Sequence, residues 1–248
     1  MTIKEERGMT MKADAVIFDK DGTLIDFDAI WIPVSVAAME DVLRTLGRED
    51  IPVGEFLTVY GVHDGVTDLN GVLCHGTYAQ MADAALVVLE KYGCSVPAGE
   101  LTKLISDAYV NHTDAGEIKP VDESLVRALT ELKERGVKMA VVTNDGEALT
   151  RKCLDGVGIF ELFDRVYTDD GTMPHKPDPA CAYDFSRLTG IGTERMAMVG
   201  DTAVDMRFAK NAGLLAIGLA KSEQNRQVLE PLADVVIGNT AQLIEVLE

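Results

Sequence analysis

The hydrophobic positions of this chain follow two different patterns. From residue 120 onward, short β-branched apolar runs alternate with amphipathic segments whose apolar positions repeat every three or four residues. This pattern predicts strands at 138–143, 165–168, 196–200, 214–219 and 235–237, after a first strand at 15–18. It predicts helices at 121–135, 147–155, 180–189, 203–212 and 241–247. Strands separated by helices pair in parallel, so we predict an α/β core with a doubly wound parallel sheet.

Residues 28–118 differ, because helical periodicity dominates there and strand signal is almost absent. Predicted helices cover 30–46, 78–92 and 97–110, and the glycine-rich stretch 60–77 is interpreted as a loop. We therefore predict a smaller, all-helical domain at 26–118, inserted into an α/β domain formed by 12–25 and 119–248. Residues 1–11 are polar, and we expect them to form a disordered lead-in.

The composition narrows the classes of function. A formal net charge of −18 over 248 residues argues against nucleic acid and anionic membranes as partners. No apolar run is long enough to cross a bilayer, and residues 1–12 lack the apolar segment of a secretion signal. The four cysteines show no C-x-x-C spacing, which is typical of reduced thiols. We expect a cytoplasmic protein, and the sequence leaves its oligomeric state open.

The first predicted strand ends in two carboxylates, Asp19 and Asp21, just before Gly22. Side chains alternate along a strand, so both carboxylates are expected on one side and Lys20 on the other, pointing away without effect on the chemistry. Two close carboxylates repel each other unless a cation lies between them or one keeps its proton. The alternative that this segment leaves open is an ordinary Asp-Gly turn after a strand.

Polar residues follow three further predicted strands. Thr143 and Asn144 can hold a phosphoryl oxygen or merely cap the next helix. Lys176 can pair with an anion or be solvated in its proline-flanked loop. Asp201 and Asp205, one helical turn apart, can be oxygen ligands for Mg²⁺, or a helix cap and an exposed carboxylate. Ligands bind beyond the carboxyl ends of parallel strands, so four such positions together favour one site.

These residues, in this order, resemble the four motifs of the haloacid dehalogenase (HAD) superfamily. The run 19–24, Asp-x-Asp-Gly-Thr-Leu, is similar to the first motif, Thr143 to the second, Lys176 to the third and 200–205 to the fourth. The helical insertion after the first motif resembles the type 1 cap of that superfamily. The resemblance covers residues 13–248 and looks most like the phosphoglycolate phosphatases. It implies a Rossmann-like core with an inserted cap domain.

The resemblance also implies an enzyme, a phosphoric monoester hydrolase that acts on a small phosphorylated metabolite. Asp19 would attack phosphorus and form an aspartyl-phosphate intermediate. Asp21 would protonate the leaving oxygen and then deprotonate the attacking water. Thr143 and Lys176, as catalytic and substrate-binding residues, would clamp the phosphoryl oxygens together with the substrate-binding Asn144.

The cofactor that the resemblance implies is Mg²⁺. Asp19, the backbone carbonyl of Asp21 and Asp201 would hold the ion, with Asp205 supporting that set of ligands. The position of Lys20 departs from many relatives, which carry an apolar residue there.

Two other functions stay open at this stage. A β-phosphoglucomutase-like phosphotransferase would share every core motif and differ in the cap. A non-catalytic binding protein on the same fold would be expected to lack at least one of the four motif residues that are intact here, namely Asp19, Asp21, Lys176 and Asp201. The dehalogenases of the superfamily fit poorly, because they lack the acid at the position of Asp21.

Overall fold

The structure is a computed structural model that describes residues 12–247. The expected lead-in at 1–11 lies outside the described residues. The chain divides into two compact units. One, called here the α/β unit, comprises the residues up to Asp26 together with those from Lys119 onward; the other, the helical unit, is Phe27–Ile118.

The α/β unit is built on a six-stranded, fully parallel sheet with the strand order β5-β4-β1-β6-β7-β8. The predicted doubly wound α/β fold is confirmed. Its strands are β1 (Ala15–Phe18), β4 (Lys138–Val142), β5 (Arg165–Tyr167), β6 (Met196–Gly200), β7 (Leu215–Leu219) and β8 (Val235–Ile237). The central strands β1, β4 and β6 are apolar and buried almost throughout, as expected of a parallel sheet covered on both faces.

Helices connect the successive strands, and a last helix follows β8. They are α6 (Leu125–Glu134), α7 (Glu147–Gly156), α8 (Ala180–Thr189), α9 (Ala203–Ala212), α10 (Glu223–Leu229) and α11 (Leu243–Val246). The prediction placed the start of α6 at 121, but residues 121–124 form a turn in which Asp122 accepts hydrogen bonds from the backbone and hydroxyl of Ser124. Helix α10 was not predicted, because Leu229 is its one buried residue and no periodicity shows. The last predicted helix begins as a short 3₁₀ turn.

The order of the strands places β1 at the point where the chain changes direction across the sheet. From β1 the chain runs outward through β4 to β5, then returns to the other side of β1 at β6. Phe18 lies beside Val141 in one neighbour and Val199 in the other. In open α/β sheets the crevice at such a switch point is where ligands bind, so the carboxyl ends of β1 and β6 are the position to examine.

The helical unit contains α1 (Phe27–Leu46), α2 (Val53–Val59), α3 (Val72–His75), α4 (Tyr78–Lys91) and α5 (Ala98–Asn111). It is not all-helical as predicted, because β2 (Val62–His63) and β3 (Val66–Thr67) form an antiparallel hairpin in the glycine-rich stretch. Asp64 and Gly65 both have positive φ angles, 51° and 78°, as a tight two-residue hairpin turn requires. The Asp-Gly pair in the run Val-His-Asp-Gly-Val was the signal in the sequence.

Within residues 12–247, no helix combines the length and the apolar character that crossing a membrane would require.

Candidate active site

The ends of β1 and β6 bring two predicted site residues together. The backbone N–H of Asp19 donates to the carbonyl of Val199 at 2.9 Å, which extends the pairing of these strands by one residue. Asp19 therefore follows β1 directly beside the end of β6, where Asp201 follows Gly200. The adjacency of these two carboxylates is a consequence of strand order, which the sequence pattern alone did not specify.

Asp205 joins them from the first turn of α9. Carboxylate oxygens of Asp19, Asp201 and Asp205 lie within 4.8 Å of one another, and all three residues are buried. We call this set the acidic group. Asp21 is not part of it by its side chain, and the role predicted for the backbone carbonyl of Asp21 stays a prediction.

Lys176 lies against the acidic group with its side chain buried. Its Nζ donates to Asp19 Oδ1 and, at 2.7 Å, to Asp205 Oδ1. The backbone N–H of Lys176 donates to Asn144 Oδ1 at 3.1 Å. Asn144 thus holds the lysine loop in place, while its predicted contact with substrate stays a prediction.

Burial dominates the electrostatics of the acidic group. It raises the pKa of Asp19 to about 7, although the charge of Lys176 opposes the shift. Burial and the nearby charges of Asp19 and Asp205 raise the pKa of Asp201 well above its usual range. For Lys176, burial favours the neutral amine, but the two carboxylates outweigh it and raise the pKa of the ammonium. If all three carboxyl groups ionise, their charge exceeds that of one ammonium, and a cation bound among them would favour that ionised state.

The donor set of the acidic group fits a hard divalent cation. Carboxylate oxygens are the ligands that Mg²⁺ prefers, and a carboxylate at such a site is usually oriented by a further hydrogen bond. Thr23 Oγ1 donates to Asp201 Oδ1 at 3.0 Å, and Thr202 Oγ1 donates to Asp205 Oδ2 at 2.6 Å. Thr202 is the N-cap of α9, and its backbone N–H also donates to the carboxylate of Asp205, which completes a capping box.

Two glycines leave room for these carboxylates. A Cβ on Gly22 would lie 2.1 Å from Asp201 Oδ2, and Gly22 has a φ of 79°, which side chains with a Cβ rarely adopt. A Cβ on Gly200 would lie 2.3 Å from the Cβ of Asp205. The two glycines next to the motif carboxylates are therefore explained by close packing around the acidic group.

Thr143 follows β4 and is buried. Its backbone N–H donates to the carbonyl of Tyr167 at 3.1 Å, so that amide is occupied by the sheet. Its Oγ1 accepts from the backbone N–H of Asp145 at 3.1 Å, which leaves the hydroxyl hydrogen free to donate. Binding of phosphate by Thr143 stays a prediction, and the hydroxyl is the group that can perform it.

The expectation that Lys20 points away from the site is wrong. Lys20 is fully buried, and its Nζ donates to Asp21 Oδ1 at 2.7 Å and pairs with Asp145 Oδ2 at 2.9 Å. Strand alternation fails here because β1 ends at Phe18, and in the bend and turn that follow, the side chains of the adjacent residues Lys20 and Asp21 contact each other. Burial raises the pKa of Asp21 to about 6 despite the opposing charge of Lys20.

Asp145 is the residue that the sequence reasoning missed. It stands beside Thr143 and Asn144 at the end of β4, the strand next to β1 in the sheet. A buried lysine needs an anionic partner. The signal that could have found Asp145 was therefore the presence of Lys20 at the end of a strand predicted to be buried.

Comparison with known proteins bears directly on this site. The sequence model described as haloacid dehalogenase-like hydrolase matches residues 13–213, which include every motif residue discussed above. The chain belongs to this family of hydrolases. The expected membership of the superfamily is confirmed, as is the prediction of an enzyme that is a phosphoric monoester hydrolase.

Curated relatives and solved structures agree with this membership. The hydrolase is 30% identical over 231 residues to a phosphoglycolate phosphatase of Pseudomonas fluorescens, an alignment covering 92% of this chain and 78% of the relative. It is 28% identical to a phosphoglycolate phosphatase of Neisseria meningitidis, covering 94% and 93% of the two chains. A HAD-superfamily hydrolase from Geobacter sulfurreducens shares its fold, with a TM-score of 0.66, 19% identity and coverage of 96% and 97%.

Proposed function

We propose that this hydrolase is an Mg²⁺-dependent phosphatase that cleaves a small, phosphoglycolate-like phosphomonoester through an aspartyl-phosphate intermediate. The observation that carries the proposal is the buried acidic group in contact with Lys176 at the switch point of the sheet. This group combines a carboxylate nucleophile, a cation-binding set of oxygens and a fixed positive charge. The phosphoglycolate phosphatases among its relatives support the substrate class.

Asp19 and Asp201 would hold the metal ion, with the backbone carbonyl of Asp21 and the carboxylate of Asp205 completing or orienting the ligands. When bound, Mg²⁺ supplies positive charge that offsets the repulsion between the carboxylate nucleophile and an anionic phosphate. The positive charge of the ion matters because the chain has a formal charge of −18 and the substrate is an anion. The ammonium of Lys176 adds a second positive charge beside Asp19, and this charge does not depend on metal binding.

The first chemical step uses the two carboxyl groups of the first motif. A carboxylate oxygen of Asp19 forms a bond to phosphorus while the bond from phosphorus to the ester oxygen breaks. The electron pair of that bond stays on the leaving oxygen, which takes a proton from the carboxyl group of Asp21. A pKa of Asp21 near 6 suits a group that must be protonated in this step and ionised in the next.

The second step regenerates the enzyme. The carboxylate of Asp21 removes a proton from water, whose oxygen attacks phosphorus as the bond to Asp19 breaks. Inorganic phosphate leaves, Asp19 is again a carboxylate, and Asp21 again carries the proton. In both steps the hydroxyl of Thr143 and the ammonium of Lys176 would donate hydrogen bonds to phosphoryl oxygens as charge builds up on them.

The test is phosphate release from a panel of phosphorylated compounds. The panel contains phosphoglycolate, several sugar phosphates including β-glucose 1-phosphate, nucleotides and pyrophosphate, each with Mg²⁺ and with a chelator. Asp19→Asn, folded by circular dichroism, is the matched control. We expect the wild-type protein to release phosphate in a chelator-sensitive reaction and Asp19→Asn to release none. We also expect acid-stable labelling of the wild-type protein by substrate phosphate.

Two results would contradict the proposal. Conversion of β-glucose 1-phosphate to a phosphate isomer without release of inorganic phosphate would indicate a mutase. No reaction with any compound, in a folded protein with Mg²⁺ present, would indicate a binding role instead.

A further inference from the structure

Lys20 is a buried charge for which the proposed mechanism has no use. It is fully buried, and its ammonium lies between two carboxylates, 2.7 Å from Asp21 Oδ1 and 2.9 Å from Asp145 Oδ2. Burying an ammonium is costly, and an ion pair in the interior is often no more stable than apolar residues of the same volume. Stability alone therefore gives a weak reason for a lysine at this position.

The far end of this ion pair is anchored. The backbone N–H of Asp145 donates to Thr143 Oγ1 at 3.1 Å, and its carbonyl accepts from the backbone N–H of Asp169 at 2.8 Å. Asp145 is thus fixed to the ends of both β4 and β5. Lys20 connects that fixed point to Asp21, which lies in the turn after β1 and whose side chain is partly exposed.

The contact also determines which oxygen of Asp21 can carry the transferred proton. An ammonium group only donates hydrogen bonds, so Asp21 Oδ1 must accept from Lys20 in both chemical steps. The unprotonated oxygen of a carboxyl group is the better acceptor, so this contact favours Oδ2 as the oxygen that gives the proton to the leaving group and later takes one from water. Proton transfer is sensitive to such placement, since a displacement of about 1 Å can cost about 100-fold in rate.

We propose that Lys20, held by Asp145, is a positioning residue that presents Oδ2 of Asp21 to the leaving group. The inference rests on the proposed function, because it assigns Lys20 a part in the same reaction. The loss of rate predicted without Lys20 depends on the leaving group. A misplaced general acid slows the departure of a strongly basic alkoxide, which needs the proton, far more than the departure of 4-nitrophenolate, which does not.

The experiment compares kcat/KM for phosphoglycolate and for 4-nitrophenyl phosphate, because kcat/KM reports the step in which the leaving group departs. Lys20→Met removes the ammonium and keeps an apolar stem of similar length. We expect its kcat/KM for phosphoglycolate to fall about 10- to 100-fold further than that for 4-nitrophenyl phosphate. Asp21→Asn should show the same selectivity, more strongly.

Matched variants separate positioning from folding. Lys138→Met removes another lysine–aspartate pair of the α/β unit, 2.9 Å from Asp164 and away from the site, and should leave the ratio of the two values unchanged. If Lys20→Met does not fold, the double variant Lys20→Met/Asp145→Asn removes one of the unpaired carboxylates and should show the same selective loss. Asp145→Asn alone should shift the ratio by about threefold, since the amide keeps the size of the side chain but loses the charge that pairs with Lys20.

The outcomes distinguish the two proposals. If the wild-type protein hydrolyses neither ester, nor any other compound of the panel, in the presence of Mg²⁺, the proposed function fails and the role of Lys20 falls with it. If the wild type hydrolyses both and Asp21→Asn is selective, an equal loss on both esters in folded Lys20→Met would overturn the positioning role alone. An unchanged ratio of the two kcat/KM values in Lys20→Met/Asp145→Asn would also overturn the positioning role.

Discussion

The site contains two buried lysines, and each lies between two carboxylates. Lys176 contacts Asp19 and Asp205, whereas Lys20 contacts Asp21 and Asp145. The arrangements look alike, but the first pair belongs to the acidic group, which also contains Asp201. When all three carboxyl groups are ionised, their charge exceeds what one ammonium can neutralise, and a divalent cation would offset the difference.

Among residues 12–247, no third carboxylate is in contact with Lys20, and the Lys20 arrangement lies outside the acidic group. Its ammonium therefore holds a carboxyl in place without contributing to a cation site. The comparison shows that the same pair of residue types serves different purposes according to the charge around it. In the proposed reaction, one lysine would share the charge of the metal and nucleophile site, and the other would fix the orientation of the proton donor.

The largest expected effect distinguishes Asp19, which contacts Lys176, from Asp21, which contacts Lys20. Asp19→Asn should lower kcat/KM by about 10⁴-fold or more on both phosphoglycolate and 4-nitrophenyl phosphate, because no aspartyl-phosphate can form. The kcat/KM values of Asp19→Asn and Asp21→Asn, measured side by side on both esters, test this distinction. Equal residual activity of Asp19→Asn and Asp21→Asn on 4-nitrophenyl phosphate would break the distinction.

A second prediction concerns the lysine of the acidic group. Lys176→Met should lower activity by about 10²- to 10³-fold, because a donor to the phosphoryl oxygens is lost. Its affinity for Mg²⁺ should nevertheless rise at least about tenfold, since the ammonium no longer competes with the ion for Asp19 and Asp205. Isothermal titration with Mg²⁺ alone measures this. Weaker binding would show that Lys176 organises the carboxylates rather than competing for them.

For the variant of Lys20 we expect no such rise in the affinity for Mg²⁺. Lys20→Met should bind Mg²⁺ within about threefold of the wild-type affinity, because neither of its partners supplies a side chain to the acidic group. The same titration applies. An affinity raised as far as in Lys176→Met would mean that both lysines belong to one electrostatic unit.

The smallest effect comes from a carboxylate held by neutral donors. Asp122 accepts from the backbone and hydroxyl groups of Ser124 and Thr240. Burial opposes its ionisation, but these hydrogen bonds outweigh burial and lower the pKa of Asp122 below its ordinary value of 3.8. Asp122→Asn should lower the free energy of unfolding by about 1 kcal/mol at pH 7.

The sign of the pH dependence follows from the lowered pKa. The folded state keeps Asp122 ionised to lower pH than the unfolded chain does, so its contribution is complete above about pH 5. It is lost as the pH falls through the folded pKa. Urea unfolding of both proteins from pH 7 to 3 should show the difference shrinking, and a difference that grows toward low pH would contradict this assignment.

Much of the α/β unit was predictable because its strands are buried on both faces. Strands β1, β6 and β8 and helices α8 and α9 begin and end at the predicted residues. Prediction failed where burial gives no periodic signal. Helix α10 buries one residue, and the β2–β3 hairpin is four residues of strand around an Asp-Gly turn. In both cases local turn and capping chemistry, rather than hydrophobic period, determines the structure.

The sequence by itself determined the fold class and the identity of the polar residues at the strand ends, because apolar periodicity and motif spacing are local properties. Only the tertiary structure decided which of those residues touch. The position of β1 between β4 and β6 unites the acidic group, and the end of β1 at Phe18 turns Lys20 toward Asp21 and Asp145. Strand order and the exact end of a strand are set by packing across the whole sheet, so no local pattern encodes them.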